Sequence, residues 1–294
     1  MARAGLLLTI ILSGCPLDPG GRETQARVRL LIEPEVGSRP ILDLIESARS
    51  SVWLEMYLLT DEAALATLEG RARAACDVRV ILEPAPYLDE GANVEAYERL
   101  AAAGARVRWA SDRFRYTHAK TLIVDHVRVV VMTLNFTAAG LGAGNREYAL
   151  VDDDADDVAA AERVFAADEV GAVTGAGARV VTSPDTSRGV LMGLIAGATA
   201  TLEVESEELN DRDIGDALDA ARARGVAVTV VLPRAGATPV MHAKATVADR
   251  RACYVGSANF SPTSLDRNRE LGLRLDDQEL CGAIGRTIAA DALY

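Results

Sequence analysis

Residues 39–59 and 189–209 carry one pattern twice. "RPILDLIESARSSVWLEMYLL" aligns with "GVLMGLIAGATATLEVESEEL" at an offset of 150 residues, so that Leu44 meets Leu194, Ile45 meets Ile195, Ala48 meets Ala198 and Glu55 meets Glu205. The same offset carries "RARAACDVRVIL" onto "ARARGVAVTVVL". In each copy, apolar residues recur first at helical and then at alternating spacing, which predicts helix, strand, helix, strand. A chain built this way is a duplicated α/β unit, with mixed sheets and helices packed on their faces.

A second pair of copies follows at a shorter offset. "THAKTLIVD" starts at Thr117 and "MHAKATVAD" at Met241, 124 residues later, so the first half holds 26 additional residues before its copy. Within them, "NVEAYERLAAAGARVRWA" predicts one more helix, a Gly turn and a strand, where the second half has only "RAGATPVM". Of the 31 residues that are Lys or Arg, only Lys120 and Lys244 are lysine, and both fall two residues after a His and five before an Asp. On a strand, residues two apart share a face, so His118 is expected beside Lys120 and His242 beside Lys244. Each copy continues with a strand and an Asn turn, "MTLNFT" with Thr133 and Asn135, and "GSANFS" with Ser257 and Asn259. Asn145-Arg146-Glu147 and Asn268-Arg269-Glu270 come next, with each Glu 29 or 28 residues after its His.

This doubled HxKx4D pattern, with its downstream Asn and Glu, resembles the phospholipase D superfamily over about residues 26–294. The resemblance implies two duplicated lobes, each a mixed β-sheet flanked by helices, with one active site at their interface. The boundaries expected are 26–172 and 173–294. It further implies a catalytic set of His118, Lys120, Asp125, His242, Lys244 and Asp249. One neutral His attacks phosphorus and forms a phosphohistidine while the other, protonated, serves the leaving oxygen; imidazole suits both tasks because it titrates near neutrality. Glu147 and Glu270 would fix the imidazole tautomers. Lys120, Lys244, Asn135 and Asn259, with Thr133 and Ser257, would hold or orient the phosphate. Asp125 and Asp249 are expected to hold the motif together rather than react. No metal or other cofactor is required. Lysine in place of the arginine used elsewhere fits a compact point charge at a crowded phosphate oxygen.

Two departures stand out. Met132-Thr133 replaces the Gly256-Ser257 pair of the second half, which leaves the backbone fit at Met132 to be decided. The shortened approach to the second motif should also open that side of the cleft. Phe114 and Tyr116 either line the substrate entrance or serve as core aromatics, the second being favoured. Arg113 and Arg115 read as solvated, and His126, the third of three histidines, as a turn residue.

Charge constrains the partner. A net charge of −12 and a pI near 4.8 argue against broad nucleic-acid binding, which needs a basic field. The acidic run Val151–Asp157 reads as a solvated loop ending in a helix N-cap; a calcium loop would need a spacing it lacks. The N-terminus, "MARAGLLLTIILSGCPLD", has one Arg, a short apolar run and Leu12-Ser13-Gly14-Cys15. The run is too short to span a bilayer and fits a signal peptide whose final residues resemble a lipobox, with Cys15 lipidated and residues 16–25 forming a tether. The chain is therefore expected to be exported and anchored to a membrane in a bacterial cell envelope. Cys76, Cys253 and Cys281 show no metal-like clustering; each reads as a small buried apolar residue, and one disulfide stays open with its pair undetermined.

The leading expectation is a phosphodiesterase acting on a phospholipid, by hydrolysis to phosphatidic acid or by transfer to an alcohol. The alternatives are a metal-independent endonuclease of the same superfamily, a cardiolipin-synthase-type phosphatidyl transferase, and an inactive binding module. Decay to a binding module would have let the two lysines drift to arginine.

Overall fold

A computed structural model describes residues 28–175, 177 and 179–293. The expected signal peptide, lipobox Cys15 and tether lie outside the described residues. The first half runs β1 (Arg29–Glu33), α1 (Arg39–Glu46), β2 (Ser51–Met56), α2 (Glu62–Arg73), β3 (Asp77–Leu82), α3 (Val94–Ala102) and β4 (Arg106–Trp109). It continues with β5 (Lys120–Val124), β6 (Arg128–Met132), β7 (Asn145–Asp152) and α4 (Ala155–Glu169). The second half runs β8 (Val180–Ser183), α5 (Ser187–Gly197), β9 (Thr201–Glu205), α6 (Arg212–Ala223), β10 (Ala227–Val231) and β11 (Val240–Met241). It closes with β12 (Ala245–Ala248), β13 (Ala252–Gly256), α7 (Pro262–Asp266), β14 (Glu270–Leu275) and α8 (Gln278–Asp291).

The strands form two mixed sheets, β1-β7-β6-β5-β2-β3-β4 and β10-β9-β12-β13-β14-β8. In each, the repeat's two strands are parallel (β2 with β3, β9 with β10) and the motif strand pairs antiparallel to the first of them. Alternation sorts the side chains. Val52, Leu54 and Met56 join α1 and α2 in an outer core, while Trp53 joins an inner core shared by both sheets, α4 and α8. A third core lies under α5 and α6. The helices start on repeated caps: Asp61 accepts from Ala64 N at 2.9 Å and Asp211, 150 residues on, from Ile214 N at 3.1 Å. The 26-residue addition supplies α3 and β4, joined through Gly104 at φ +97°, a conformation suited to glycine.

Two expectations change, and a third point, left open by the sequence, is decided. The acidic run is only partly solvated: β7 extends through Asp152, and Asp152 and Asp157 are buried on Arg179 at 2.9 and 2.5 Å, while Asp154 caps α4. Cys253 and Cys281 are not separate apolar fillers, because a disulfide joins β13 to α8; Cys76 is free and half-buried. Replacing both bridged cysteines by serine should lower stability by about 3 kcal/mol under non-reducing conditions, read by chemical denaturation. An unchanged midpoint, or two free thiols in the native protein at these positions, would contradict the bridge.

The third concerns Met132. A Cβ at Gly256 would meet Gly272 Cα and the Tyr254 hydroxyl at 2.5 Å, because the Tyr254 ring fills the space over that pair. In the first sheet the corresponding residues are Val130, Met132 and Ala149, with Met132 opposite Ala149. Val130 leaves the room that Tyr254 takes, so a side chain is accommodated at Met132.

Candidate active site

The strand-sharing expected of each His and Lys is the point that the structure alters most. Lys120 opens β5, but His118 precedes it, on a segment that pairs with the other lobe. Thr117 bridges in parallel to Arg269, Arg115 N donates to Arg267 O at 2.9 Å, and His118 N to Arg269 O at 2.8 Å. That register sets His118 beside Glu270. The second lobe does the same in return: β11 adds in parallel to β7, Met241 opposite Arg146, and His242 comes next to Glu147. Each lobe thus pairs a short stretch of backbone with the other, by the bridge at Thr117 and by β11, and each histidine follows directly after it.

The carboxylates are accordingly supplied across the interface. His118 Nδ1 lies 2.9 Å from Glu270 Oε2, and His242 Nδ1 lies 2.5 Å from Glu147 Oε1, the latter off the line of a hydrogen bond. Both glutamates are fully buried. Glu270 also accepts from Ser264 Oγ at 2.6 Å and Asn268 Nδ2 at 2.9 Å; Glu147 accepts from Thr133 Oγ1 at 2.6 Å and Asn145 Nδ2 at 3.2 Å. Burial would raise both carboxyls, but the opposing imidazole and lysine charges hold them below the ordinary value. Thr133 therefore orients a carboxylate, and Ser257 Oγ is taken up by the backbone of Leu271 at 3.0 Å.

Lys120 and Lys244 are buried, and each ammonium donates to the carbonyl of its own His, Lys120 at 2.7 Å. Burial and the neighbouring Lys244 pull Lys120 down to about 7 against three glutamates. Burial likewise pushes His118 down, against Glu270 and with the help of both lysines, so its imidazole favours the neutral form. Asn135 and Asn259 are buried with unpartnered Oδ1 atoms, on turns held by Phe136 O and Phe260 O, each accepting two backbone N–H groups.

Asp125 and Asp249 sit at the far end of the motif strand. Asp125 accepts from the backbone N–H of Arg49, Ser50 and Ser51 at 2.7–3.0 Å, and Asp249 from those of Thr199, Ala200 and Thr201 at 2.7–3.1 Å. Partial burial would raise them, yet these bonds hold both at about 2. Each pins its strand to the preceding helix–strand turn. A group held below its unfolded pKa stabilises the fold above the ordinary carboxylate range, and that contribution is lost as pH falls toward 2. Asp125→Ala should cost about 1–3 kcal/mol in denaturation at pH 7, and less at pH 3.

Phe114 is buried under the Arg269 guanidinium at 4.3 Å, a core aromatic. Tyr116 is half-buried, edge-on to Tyr57 at 6.1 Å, and so borders the site. His126 is exposed beside Glu162. The shortened approach leaves β10 as a sheet edge, but the histidine side chains differ little, 12% exposed for His118 and 16% for His242.

Several participants escaped the sequence reading. Tyr57 stacks edge-on to His118 at 4.5 Å, and its repeat counterpart is Glu207, which touches Lys244. Asn93, from the added segment, donates to Tyr57 O and Glu83 O, and Glu83 accepts from Thr117 N at 2.7 Å, bracing the His118 segment. Behind the site, Arg269 binds Asp168 beside Glu55, and Arg146 binds Asp291 beside Glu205. The matched pairs Glu55/Glu205 and Arg146/Arg269 were the available signal. Among the described residues no group of His, Cys, Asp and Glu is arranged to hold a metal ion, and no helix is long and apolar enough to cross a membrane.

Two mixed sheets joined across a pair of HxKx4D motifs define the phospholipase D-like class of protein. The chain belongs to that superfamily: residues 41–169 and 234–291, more than half of it, match the family described as "Cardiolipin synthase, PLD-like domain". Among solved structures it is similar to polyphosphate kinase from Porphyromonas gingivalis, at 16% identity and a TM-score of 0.74 over 90% of this chain. The chain spans 46% of that kinase's length. It is also similar to phosphatidylserine synthase from Haemophilus influenzae Rd KW20, at 13% identity and a TM-score of 0.72, covering 89% of this chain and 86% of that one. No curated protein matches it by sequence.

Proposed function

We propose that this chain is a phospholipase D-type phosphodiesterase that cleaves a phospholipid through a phosphohistidine. The observation that carries this reading is the exchanged placement of His118 Nδ1 on Glu270 and of His242 Nδ1 beside Glu147, which sets each imidazole against the other lobe's glutamate by Nδ1 and keeps its Nε2 off those two carboxylates. His118, favoured in its neutral form, is the nucleophile. Its Nε2 attacks phosphorus as the bond to the head-group oxygen breaks, and His242 Nε2–H gives its proton to that oxygen. Water, or an alcohol, then attacks phosphorus while His242 takes its proton; the P–N bond breaks, and both histidines return to their starting state. Lys120 and Lys244, with Asn135 and Asn259, receive the growing charge on the phosphoryl oxygens. The lipid assignment is supported by the family and by the N-terminal segment, read as a lipid anchor that would hold an exported enzyme at a membrane.

The test offers the full chain, in detergent, phosphatidylcholine or phosphatidylethanolamine vesicles, plasmid DNA and an aryl phosphodiester, all with EDTA. Head-group release is expected. DNA nicking without lipid turnover would replace the lipase with the endonuclease, and loss of activity to EDTA would contradict the metal-free route. Release only when an acceptor alcohol is supplied would make the enzyme a transferase. A Cys15→Ser variant should leave the membrane fraction; one that stays there removes lipidation as the anchor.

A further inference from the structure

One acidic side chain in the cleft has no part in the two-histidine reaction. Glu207 Oε2 lies 2.9 Å from Lys244 Nζ, 3.3 Å from Asn259 Nδ2 and 3.4 Å from His242 Nε2. These are the second-lobe groups assigned above to the phosphoryl and leaving oxygens, so one carboxylate oxygen occupies a seat shaped for an oxygen of the substrate. Among the described residues of the first lobe, no carboxylate takes the equivalent place. Tyr57 stands at the equivalent position, and Lys120 meets its ring at 5.1 Å. The Glu207 side chain is 37% exposed, so it can withdraw toward solvent without opening the core.

The cleft's charges make this placement consequential. Lys120 and Lys244 are buried in the cleft with Glu147 and Glu270, and Glu207 adds a third carboxylate, set directly against Lys244. Burial opposes its ionisation, but Lys244 and His242 hold its carboxyl well below the usual carboxylate range, so it stays charged at neutral pH. An arriving phosphate must contest Lys244 and Asn259 with a fixed anion, and repulsion grows with the charge that the phosphate brings. A phosphodiester carries one negative charge. A phosphomonoester, including the product of diester hydrolysis, carries nearly two at pH 8.

We propose that Glu207 is a specificity-determining residue that sets the charge of the phosphate the cleft retains: it admits phosphodiester monoanions and disfavours phosphomonoester dianions, thereby also helping the hydrolysis product to leave. This rests on the phosphodiesterase reading above. The experiment measures binding rather than turnover, by calorimetry at pH 8 on the full chain. Inorganic phosphate serves as the dianion and dimethyl phosphate as the monoanion, with Glu207→Gln and Glu207→Tyr, the latter giving the second lobe the residue of the first.

In both variants inorganic phosphate should bind at least about tenfold tighter, with a gain for dimethyl phosphate of about threefold or less. A phosphate affinity that hardly changes, or an equal gain for both anions, overturns the proposal. If neither anion binds to the native protein or to either variant, the phosphodiesterase reading itself fails, and the role of Glu207 fails with it. A melting curve for each variant verifies its fold, and the two substitutions are chemically different enough that one misfolded protein leaves the other to decide.

Discussion

His118→Ala should lower turnover of any phosphodiester by roughly a thousandfold or more, because it removes the nucleophile and leaves only phosphate positioning. His242→Ala should lower lipid turnover similarly, since a head-group alkoxide leaves poorly without a proton. An aryl phosphodiester separates the two roles. An aryloxide departs without an acid, so His242→Ala should release one equivalent of phenol in a burst and accumulate phosphorylated His118. His118→Ala should show no burst. The reverse pattern would exchange the two assignments, and bursts in both variants would refute a single nucleophile. Glu270→Gln should depress the same first step, because Glu270, not the glutamate of His118's own lobe, fixes its imidazole.

The second large effect is on stability. Arg269 is wholly buried; it binds Asp168 at 2.9–3.0 Å and Ser183 O at 3.1 Å and lies over the Phe114 ring. Burial and the Asp168 charge push the Glu55 carboxyl far up, so it remains protonated beside Asp168, which is itself raised to about 6. Arg269→Ala would leave these acids in the interior without their cation, a loss of about 3–5 kcal/mol. Denaturation midpoints at pH 7 measure it. Because protonating Asp168 relieves the stranded charge, the deficit should shrink as pH falls from 7 to 5. A loss below about 1 kcal/mol would mean that the pair is solvated and not a buried link between the lobes.

Much of the fold was legible in the residues, and for a physical reason. A helix and a strand declare themselves by local periodicity, so the 150-residue offset was enough to identify α1, β2, α2 and β3 with α5, β9, α6 and β10. The added α3 and β4 were legible in the same way. What did not show was polarity with a tertiary purpose. Asp152 and Asp157 look like solvent-facing acids until Arg179 arrives from a distant turn, and Cys253 meets Cys281 only when α8 packs on the second sheet. Glu207 had the same disguise, because a carboxylate after a strand carries no local mark of the lysine and the asparagine it meets in the fold.

By itself, the sequence determined that the chain carries one motif twice and which residues each copy contains. A His, a Lys, an Asn and a Glu recur in one order, and the two lysines of the chain both fall within these copies. Only the tertiary structure decided how the halves combine. Backbone hydrogen bonds pair residues 115–118 with 267–269 and 240–241 with 145–146, and such bonds use groups that every residue carries, so no side chain announces the register. That register sends each histidine to the other lobe's glutamate, making one site of two incomplete ones.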